Sequence, residues 1–243
     1  MTTGRAPTER PTSTRTESVY DELRAELLHL HGPYEPGQRL KLLDLGQRFG
    51  ASLSVIREAL TRLAEQGLLV ATPQRGFSVR ELSVPDLADL TRVRVQLETL
   101  AFRQAVQEGD VAWETAVVAT HHTLERTPVI GPDGLISEAW AITHRAFHQA
   151  LLAGCGSPRL ESITTALRDS SELYRRWYWA LTDDHARDIP AEHRALRDLA
   201  VSREADEGVT LLTAHIERAP RELIAYAEQH GLDSSGPGSA GPA

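Results

Sequence analysis

The stretch "ASLSVIREALTRLAEQGLLVATPQRGFSVREL", residues 51–82, decides the fold of the first part of the chain. Its first half has apolar residues at helical spacing, which predicts an amphipathic helix buried through Ile56, Leu60 and Leu63. Ser52 is placed to cap the N-terminus of this helix, and Gly67 stands where a C-terminal cap is expected. A single short helix with both ends marked is therefore predicted.

The second half of the stretch predicts a β-hairpin. Two short strands, 68–71 and 77–80, are joined by a turn that contains Pro73 and Gly76. Upstream, the spacing of apolar residues predicts helices over 19–30 and 40–50, separated by a turn rich in proline and glycine. Three short helices followed by a hairpin are typical of a winged helix-turn-helix.

In a winged helix-turn-helix the third helix enters the major groove of DNA. Hydroxyl groups and backbone amides at a helix N-terminus suit phosphate, and arginine reaches guanine or phosphate. A glycine at the wing tip permits close approach to a minor groove. The candidate DNA-binding residues are therefore Ser52, Ser54, Arg57, Arg75 and Gly76. The alternative for Arg57 is an ordinary solvated charge on a helix surface.

Three segments carry a resemblance to a known family: "YEPGQRL", "SVIREALTRLAEQGLL" and "QRGFSV". Together they resemble the DNA-binding domain of the GntR superfamily of bacterial transcription regulators, over residues 17–82. The resemblance implies a recognition helix that begins near Ser52 and a wing at Arg75 and Gly76. The sequence departs from the pattern at Leu53, where many relatives carry an arginine.

The remaining chain, residues 83–232, is predicted to be helical, without a convincing strand. Six helices are expected, and an antiparallel bundle is their natural arrangement: 84–109, 111–127, 135–154, 159–181, 191–202 and 205–229. Pro220 predicts a kink or a break in the last of these helices. The whole chain is thus predicted to be mainly α, a winged helix-turn-helix followed by an all-α bundle.

The bundle segments "RVRVQLETLA", "HRAFHQALLAGCGSPRL", "EHRALRDLA" and "LLTAHIERA" resemble the FCD domain of FadR-type GntR regulators. A six-helix count is closer to the VanR-like branch of that family. The resemblance implies that the bundle forms a homodimer, binds a small effector in its interior and changes the affinity for operator DNA. A two-fold dimer implies a near-palindromic operator.

Four histidines are candidate metal ligands. His144 and His148 are four residues apart, which places both imidazoles on one helix face within reach of one ion. The FCD resemblance implies a site of one carboxylate and three histidines. His148, His193 and His215 match the histidines, and His144 stands at the carboxylate position. A nitrogen-only ligand set favours zinc, nickel or copper over magnesium or calcium, and zinc, with nickel as the second choice, is the expected ion. The alternative for any single histidine is core packing.

Arg94 is the candidate partner for a carboxylate effector, since a guanidinium binds a carboxylate through two hydrogen bonds. The segment "VRVQLE" matches the R-x-x-x-E of the FCD pattern. The alternative is that Arg94 and Glu98 form an i, i+4 pair on the bundle surface or at a dimer interface. Tyr174 and Trp177 are placed either to line the effector pocket or to pack in the core or an interface.

Composition limits the classes of protein that this chain can represent. The net charge is −8, but residues 1–80 carry eleven basic and nine acidic side chains, so the acidity is confined to residues 81–243. The chain has one cysteine, Cys155, which excludes an internal disulfide and fits a reducing cytoplasm. The sequence contains no run of about 18 apolar residues, the length that a membrane-spanning helix needs. Residues 1–16 and 233–243 are polar or rich in glycine and are expected to be disordered.

These observations favour a ligand-responsive, DNA-binding transcription regulator, expected to be a cytoplasmic, nucleoid-associated repressor rather than an enzyme. Two alternatives remain open. A helical metalloenzyme would use the histidines to activate water, but no H-E-x-x-H motif is present. A purely structural metal would only hold the bundle together. Each alternative predicts a different response to chelators and to small organic acids.

Overall fold

The computed structural model describes residues 14–28, 33–132, 134–182, 184 and 187–232. The chain divides into two compact units, and the boundary lies between Arg80 and Glu81. The tail predicted over 233–243 and residues 1–13 of the predicted N-terminal segment lie outside the described residues. Helix α1 begins at Arg15, so the last two residues of the segment predicted as disordered are helical.

The described residues of the first unit form three helices and a three-stranded antiparallel sheet in the order β1-β3-β2. Its elements are α1 (Arg15–Leu28), β1 (Arg39–Leu40), α2 (Leu42–Phe49), α3 (Leu53–Glu65), β2 (Leu69–Thr72) and β3 (Gly76–Val79). The helices and the hairpin were predicted, but β1 was not. Leu40 was assigned to the start of a helix, whereas it pairs with Phe77 of β3. A two-residue strand has no alternating pattern that a sequence can show.

Local signals fix the ends of α3. Ser52 has extended backbone and its side chain accepts a hydrogen bond from the backbone N–H of Val55, as an N-cap does. Gly67 follows the helix with φ 74°, a conformation that glycine adopts without steric cost. Along one face of the helix Ile56, Leu60 and Leu63 are fully buried, and this face packs against α1. Burial of one face leaves the opposite face of α3 free for contacts.

The second unit contains seven α-helices and one 3₁₀ turn among its described residues. They are α4 (Val84–Glu108), α5 (Val111–Glu125), α6 (Glu138–Leu152), the turn Ala153–Cys155, α7 (Pro158–Ser170), α8 (Glu172–Leu181), α9 (Ile189–Val201) and α10 (Ala205–His230). The helix predicted over 159–181 is two helices, because the chain breaks at Ser171. The Ser171 hydroxyl donates to the Arg168 carbonyl at 2.7 Å, a local bond that competes with helix continuation.

The two long helices, α4 and α10, pack along each other and form the spine of the bundle. Of the kink or break predicted at Pro220, the break is contradicted, since α10 continues as a helix through that residue. Aromatic side chains fill the interior: Phe102 and Phe147 are fully buried, and the indole N–H of Trp113 donates to the Ala150 carbonyl at 2.9 Å. Among the described residues, no helix has the length and apolar character needed to cross a membrane.

Candidate metal centre and nucleic-acid interface

The structure brings together the four histidines singled out in the sequence. Helix α6 supplies His144 and His148, α9 supplies His193, and α10 supplies His215. One ring nitrogen from each lies within 4.8 Å of those of the other three. His148 and His193 are 45 positions apart in the chain, with α7 and α8 between them, so helix packing rather than chain proximity makes the cluster.

The spacing of the ring nitrogens fits a metal ion. The Nε2 atoms of His148 and His193 are 3.3 Å apart. Two nitrogens that bind one tetrahedral zinc ion at about 2.0–2.1 Å lie roughly 3.3 Å apart. Burial lowers the pKa of His144, His148 and His193 well below the usual value, and neighbouring positive charges act in the same direction. The imidazoles are therefore neutral near pH 7, the state that has a lone pair for a metal.

A partly buried carboxylate orients His215. Glu192 Oε2 lies 2.6 Å from His215 Nδ1, so the Nδ1–H donates to the carboxylate and leaves the Nε2 lone pair available. Arg187 holds the same carboxylate with two hydrogen bonds, of 2.9 and 2.6 Å. Burial alone would raise the pKa of Glu192, but hydrogen bonds from Arg187 and His215 hold it well below its usual range. Neither Glu192 nor Arg187 was singled out from the sequence.

His144 differs from the other three histidines. Its ring stacks on Trp140 with centroids 4.4 Å apart, and Arg175 Nη1 lies 3.0 Å from its Nδ1. A guanidinium only donates hydrogen bonds, so Nδ1 accepts here and the ring proton is on Nε2. A metal ion bound to His144 must therefore either displace Arg175 from Nδ1 or replace the proton on Nε2.

A cavity of about 60 Å³ adjoins the histidine cluster. His144 and His215 form part of its wall, next to three arginines: Arg94, Arg168 and Arg175. Apolar residues of α4 and α10 complete the wall, among them Leu87, Leu90, Ile216 and Leu223. Arg168 and Arg175 were missed in the sequence, because the segment that carries them was predicted as one helix without a defined inward face. Arg94 was predicted as an effector ligand and borders this cavity.

Two of the three cavity arginines share one buried acid. Arg94 Nε donates to Glu98 Oε1 at 2.7 Å, and Arg168 Nη1 donates to Glu98 Oε2 at 2.6 Å. Burial would raise the pKa of Glu98, but the two guanidinium groups outweigh it and lower the pKa. The predicted Arg94–Glu98 pair therefore exists, but it lies in the interior of the bundle rather than on its surface.

One donor nitrogen of Arg175 is unpaired among the described residues. Its Nε is buried and has no hydrogen-bond partner among the described residues, although the side chain as a whole is 20% exposed. The other guanidinium nitrogens contact His144 and Glu172. A buried unpaired donor beside a cavity favours an acceptor ligand there.

Tyr174 also borders the cavity. Its hydroxyl donates to Asp86 Oδ2 at 2.6 Å, and Trp177 packs edge-to-face against the Tyr174 ring.

The candidate nucleic-acid interface lies at the start of α3 and at the hairpin turn. Ser52 and Ser54 are exposed, with their hydroxyl oxygens 2.8 Å apart, and Arg57 is exposed one turn later. Arg75 and Gly76 lie at the tip of the hairpin, where Gly76 has φ 87° and its surroundings are open. The surface thus offers hydroxyl groups and guanidinium groups on two elements of the first unit.

Comparison with known families assigns both units. Residues 15–79 match the family described as bacterial regulatory proteins, gntR family, and residues 89–218 match the FCD domain. Both matches agree with the resemblances found in the sequence. The FCD match includes all four histidines and Arg94.

Individual relatives agree with this assignment. The chain is 37% identical over 220 residues to the HTH-type transcriptional regulator BphR of Paraburkholderia xenovorans (strain LB400), covering 89% of this chain and 86% of the relative. It is 27% identical to the HTH-type transcriptional repressor GlaR of Escherichia coli (strain K12), covering 77% and 86%. Among solved structures, E. coli McbR/YncC has a TM-score of 0.65 at 21% identity, covering 90% of this chain and 100% of that chain, which shows a shared fold.

Proposed function

Because the chain belongs to the GntR family and carries an FCD domain, it is a DNA-binding transcriptional regulator, and we propose that a small organic acid controls its operator affinity at a metal site. One observation carries the proposal: the cavity that borders His144 and His215 is also bordered by Arg94, Arg168 and Arg175. A metal position and a set of guanidinium groups thus adjoin the same small space.

The ion would be held by His144, His148, His193 and His215. Their nitrogen-only donor set favours zinc, with nickel as a second choice. Such an ion supplies a Lewis-acidic centre to which a carboxylate can bind. Where the FCD pattern has an aspartate, this chain has His144, so the protein ligands bring no negative charge. An anionic effector would therefore compensate the charge of the metal ion better here than in a site that contains a carboxylate ligand.

The cavity selects for a small acid. A volume of about 60 Å³ accommodates a few heavy atoms, since one ordered water needs roughly 10–15 Å³ on this scale. Arg94 and Arg168 already share the Glu98 carboxylate, and Arg175 Nε is unpaired. These three guanidinium groups give an incoming carboxylate charge-assisted hydrogen bonds in a buried setting, where such bonds are strong.

Regulation would follow from linkage between the two ligands. The acid binds one arrangement of a homodimer better than another, and the same shift changes operator affinity. The proposed operator is near-palindromic, matching the two-fold symmetry of the dimer. The proposed DNA contacts are Ser52, Ser54 and Arg57 at the start of α3, with Arg75 and Gly76 at the wing. Repression relieved by the acid is the proposed mode of action.

Thermal unfolding of the full chain tests the metal and acid together. Metal-free protein is melted alone, then with zinc, then with zinc and a panel of two- to four-carbon carboxylic acids. The proposal expects zinc to raise the melting temperature and one class of acid to raise it further only when zinc is present. Stabilisation by zinc alone, with no response to any acid, contradicts the effector site and supports a structural metal. No response to zinc or nickel overturns the metal site.

Arg57→Ala tests the DNA interface. The variant is expected to keep its circular dichroism spectrum and melting temperature, because the Arg57 side chain is exposed. It is expected to lose affinity for a duplex selected from a random pool by the unaltered protein. Arg92→Ala, which removes an exposed arginine of α4, is the matched control and should bind normally. Unchanged affinity of Arg57→Ala in a gel-shift assay would remove Arg57 from the interface.

A further inference from the structure

The recognition helix exposes a large apolar side chain at its first position. Leu53 is 46% exposed, and it lies one helical turn before Arg57 on the same face. A methyl group of Leu53 also lies 3.4 Å from the place that a Cβ on Gly46 would occupy, so α2 supports the side chain from behind. Leu53 is therefore held in place while its outer surface remains accessible.

We propose that Leu53 reads a thymine in the operator by packing against its C5-methyl group, beside a guanine or phosphate contacted by Arg57. The inference rests on the proposed entry of α3 into the major groove. On the major-groove edges of the four bases, the thymine methyl group is the apolar feature, and apolar side chains recognise it. The predicted contacts at this helix end, Ser52, Ser54 and Arg57, are polar, and Leu53 adds an exposed apolar surface among them.

The neighbouring side chains support this assignment. The hydroxyl groups of Ser52 and Ser54 lie 2.8 Å apart and are hydrogen-bonded to each other, and Ser52 also caps the helix. Leu53 is therefore flanked in the chain by two polar side chains. The same unit exposes several cations: Arg39 and Lys41 precede α2, Arg57 lies on α3 and Arg75 lies on the hairpin. Exposed cations suit phosphates, which position a duplex, and an exposed apolar side chain suits a base edge, which specifies the sequence.

Removal of single methyl groups from the DNA tests the contact. Duplexes are selected from a random pool with the unaltered full-length protein, and each thymine of the selected site is then replaced singly by deoxyuridine. The dissociation constants are measured by fluorescence anisotropy at one fixed salt concentration. Loss of the contacted methyl should weaken binding by about fourfold, the equivalent of roughly 0.8 kcal/mol for one buried methyl-sized group.

Two variants assign the effect to Leu53. In Leu53→Ala, deoxyuridine and thymine should bind equally at that position, while the variant still binds the duplex. Leu43→Ala, which removes an exposed leucine of α2, should keep the fourfold preference. Leu53→Arg should change the preferred base at that position when selection is repeated.

Three results would overturn the inference: no thymine whose methyl matters, a methyl effect that survives in Leu53→Ala, or an effect that disappears in Leu43→Ala as well. If the start of α3 does not contact DNA at all, Arg57→Ala should bind the duplex as well as the unaltered protein does. That result is distinct from a loss of the thymine contact alone. Circular dichroism of Leu53→Ala controls for folding, and alanine at an exposed helical position favours the helix.

Discussion

Glu192 accepts a hydrogen bond from His215, with 2.6 Å between Oε2 and Nδ1, and this contact determines which nitrogen of His215 faces the histidine cluster. The proton lies on Nδ1, and the Nε2 lone pair is left for a metal. Because Arg187 holds both carboxylate oxygens of Glu192, the acceptor cannot rotate away. The orientation of one proposed ligand thus depends on two residues that do not touch the ion themselves.

Glu192→Gln is expected to weaken zinc binding by about ten- to a hundredfold, the usual effect of removing a carboxylate behind a metal-binding histidine. The amide accepts a weaker hydrogen bond and leaves Arg187 without its charge partner. The measurement is competition with a chromophoric chelator. Glu125→Gln, which removes a surface partner of Arg194, is the control and should bind zinc normally. Equal zinc affinity in both variants would show that Glu192 does not orient the ligand.

The metal-free protein is expected to lose stability as the pH falls from 7.5 to 5.5. In the unfolded chain imidazoles take up protons near pH 6.5, whereas burial keeps His144, His148 and His193 neutral in the fold. The unfolded state then binds more protons below pH 6.5, so acid shifts the equilibrium toward unfolding. At pH 5.5 each such histidine costs up to about 1.4 kcal/mol.

Urea unfolding in the presence of a chelator, measured at several pH values, checks this dependence. His148→Leu should have a shallower loss of stability with falling pH, because one of the buried imidazoles is gone. Added zinc should raise the stability at pH 7.5 more than at pH 5.5, since protons and metal compete for the same nitrogens. A flat profile for the metal-free protein would show that the histidines are protonated equally in both states.

The parts of this molecule that were predicted from sequence are those encoded by local signals. The N-cap at Ser52, the periodic leucines of α3 and the i, i+4 pair His144 and His148 depend on residues close together in the chain. Strand β1 was missed because its two residues form a strand only by pairing with Phe77 and Ser78. Glu192, Arg168 and Arg175 were missed because each acts through a partner on another helix: His215, Glu98 and His144 in turn.

Gly208 shows how packing can reverse a local propensity. Alanine in a helix interior is normally favoured over glycine by about 1 kcal/mol. A Cβ on Gly208 would lie 2.4 Å from Cε1 of the fully buried Phe102, where α10 crosses α4. Gly208→Ala is therefore expected to destabilise the protein by about 1–3 kcal/mol, as overpacking does. Urea denaturation measures the change, with the exposed Thr210→Ala on the same helix as control. A stabilised Gly208→Ala would mean that the two helices separate easily.

Arg94→Gln separates effector binding from metal binding. Arg94 borders the cavity but is not a proposed metal ligand, so the zinc affinity of the variant should be unchanged. Its affinity for the stabilising acid should fall by about ten- to a hundredfold, because a hydrogen bond to a charged group contributes roughly 1.5–3 kcal/mol. Arg103→Gln, on the same helix, removes a surface partner of Asp206 and should bind both ligands normally.

The Arg94 variant also leaves Arg168 as the remaining ion-pair partner of Glu98 among the described residues, so some stability is lost whatever the role of Arg94. Arg94→Lys keeps the charge but not the forked geometry, and comparison of the two variants separates charge from shape. Acid affinity should rank unaltered protein above lysine above glutamine if the guanidinium binds a carboxylate. Calorimetric titration of zinc-loaded protein gives this ranking directly. Equal acid affinity in all three proteins would mean that Arg94 serves only the buried Glu98 carboxylate.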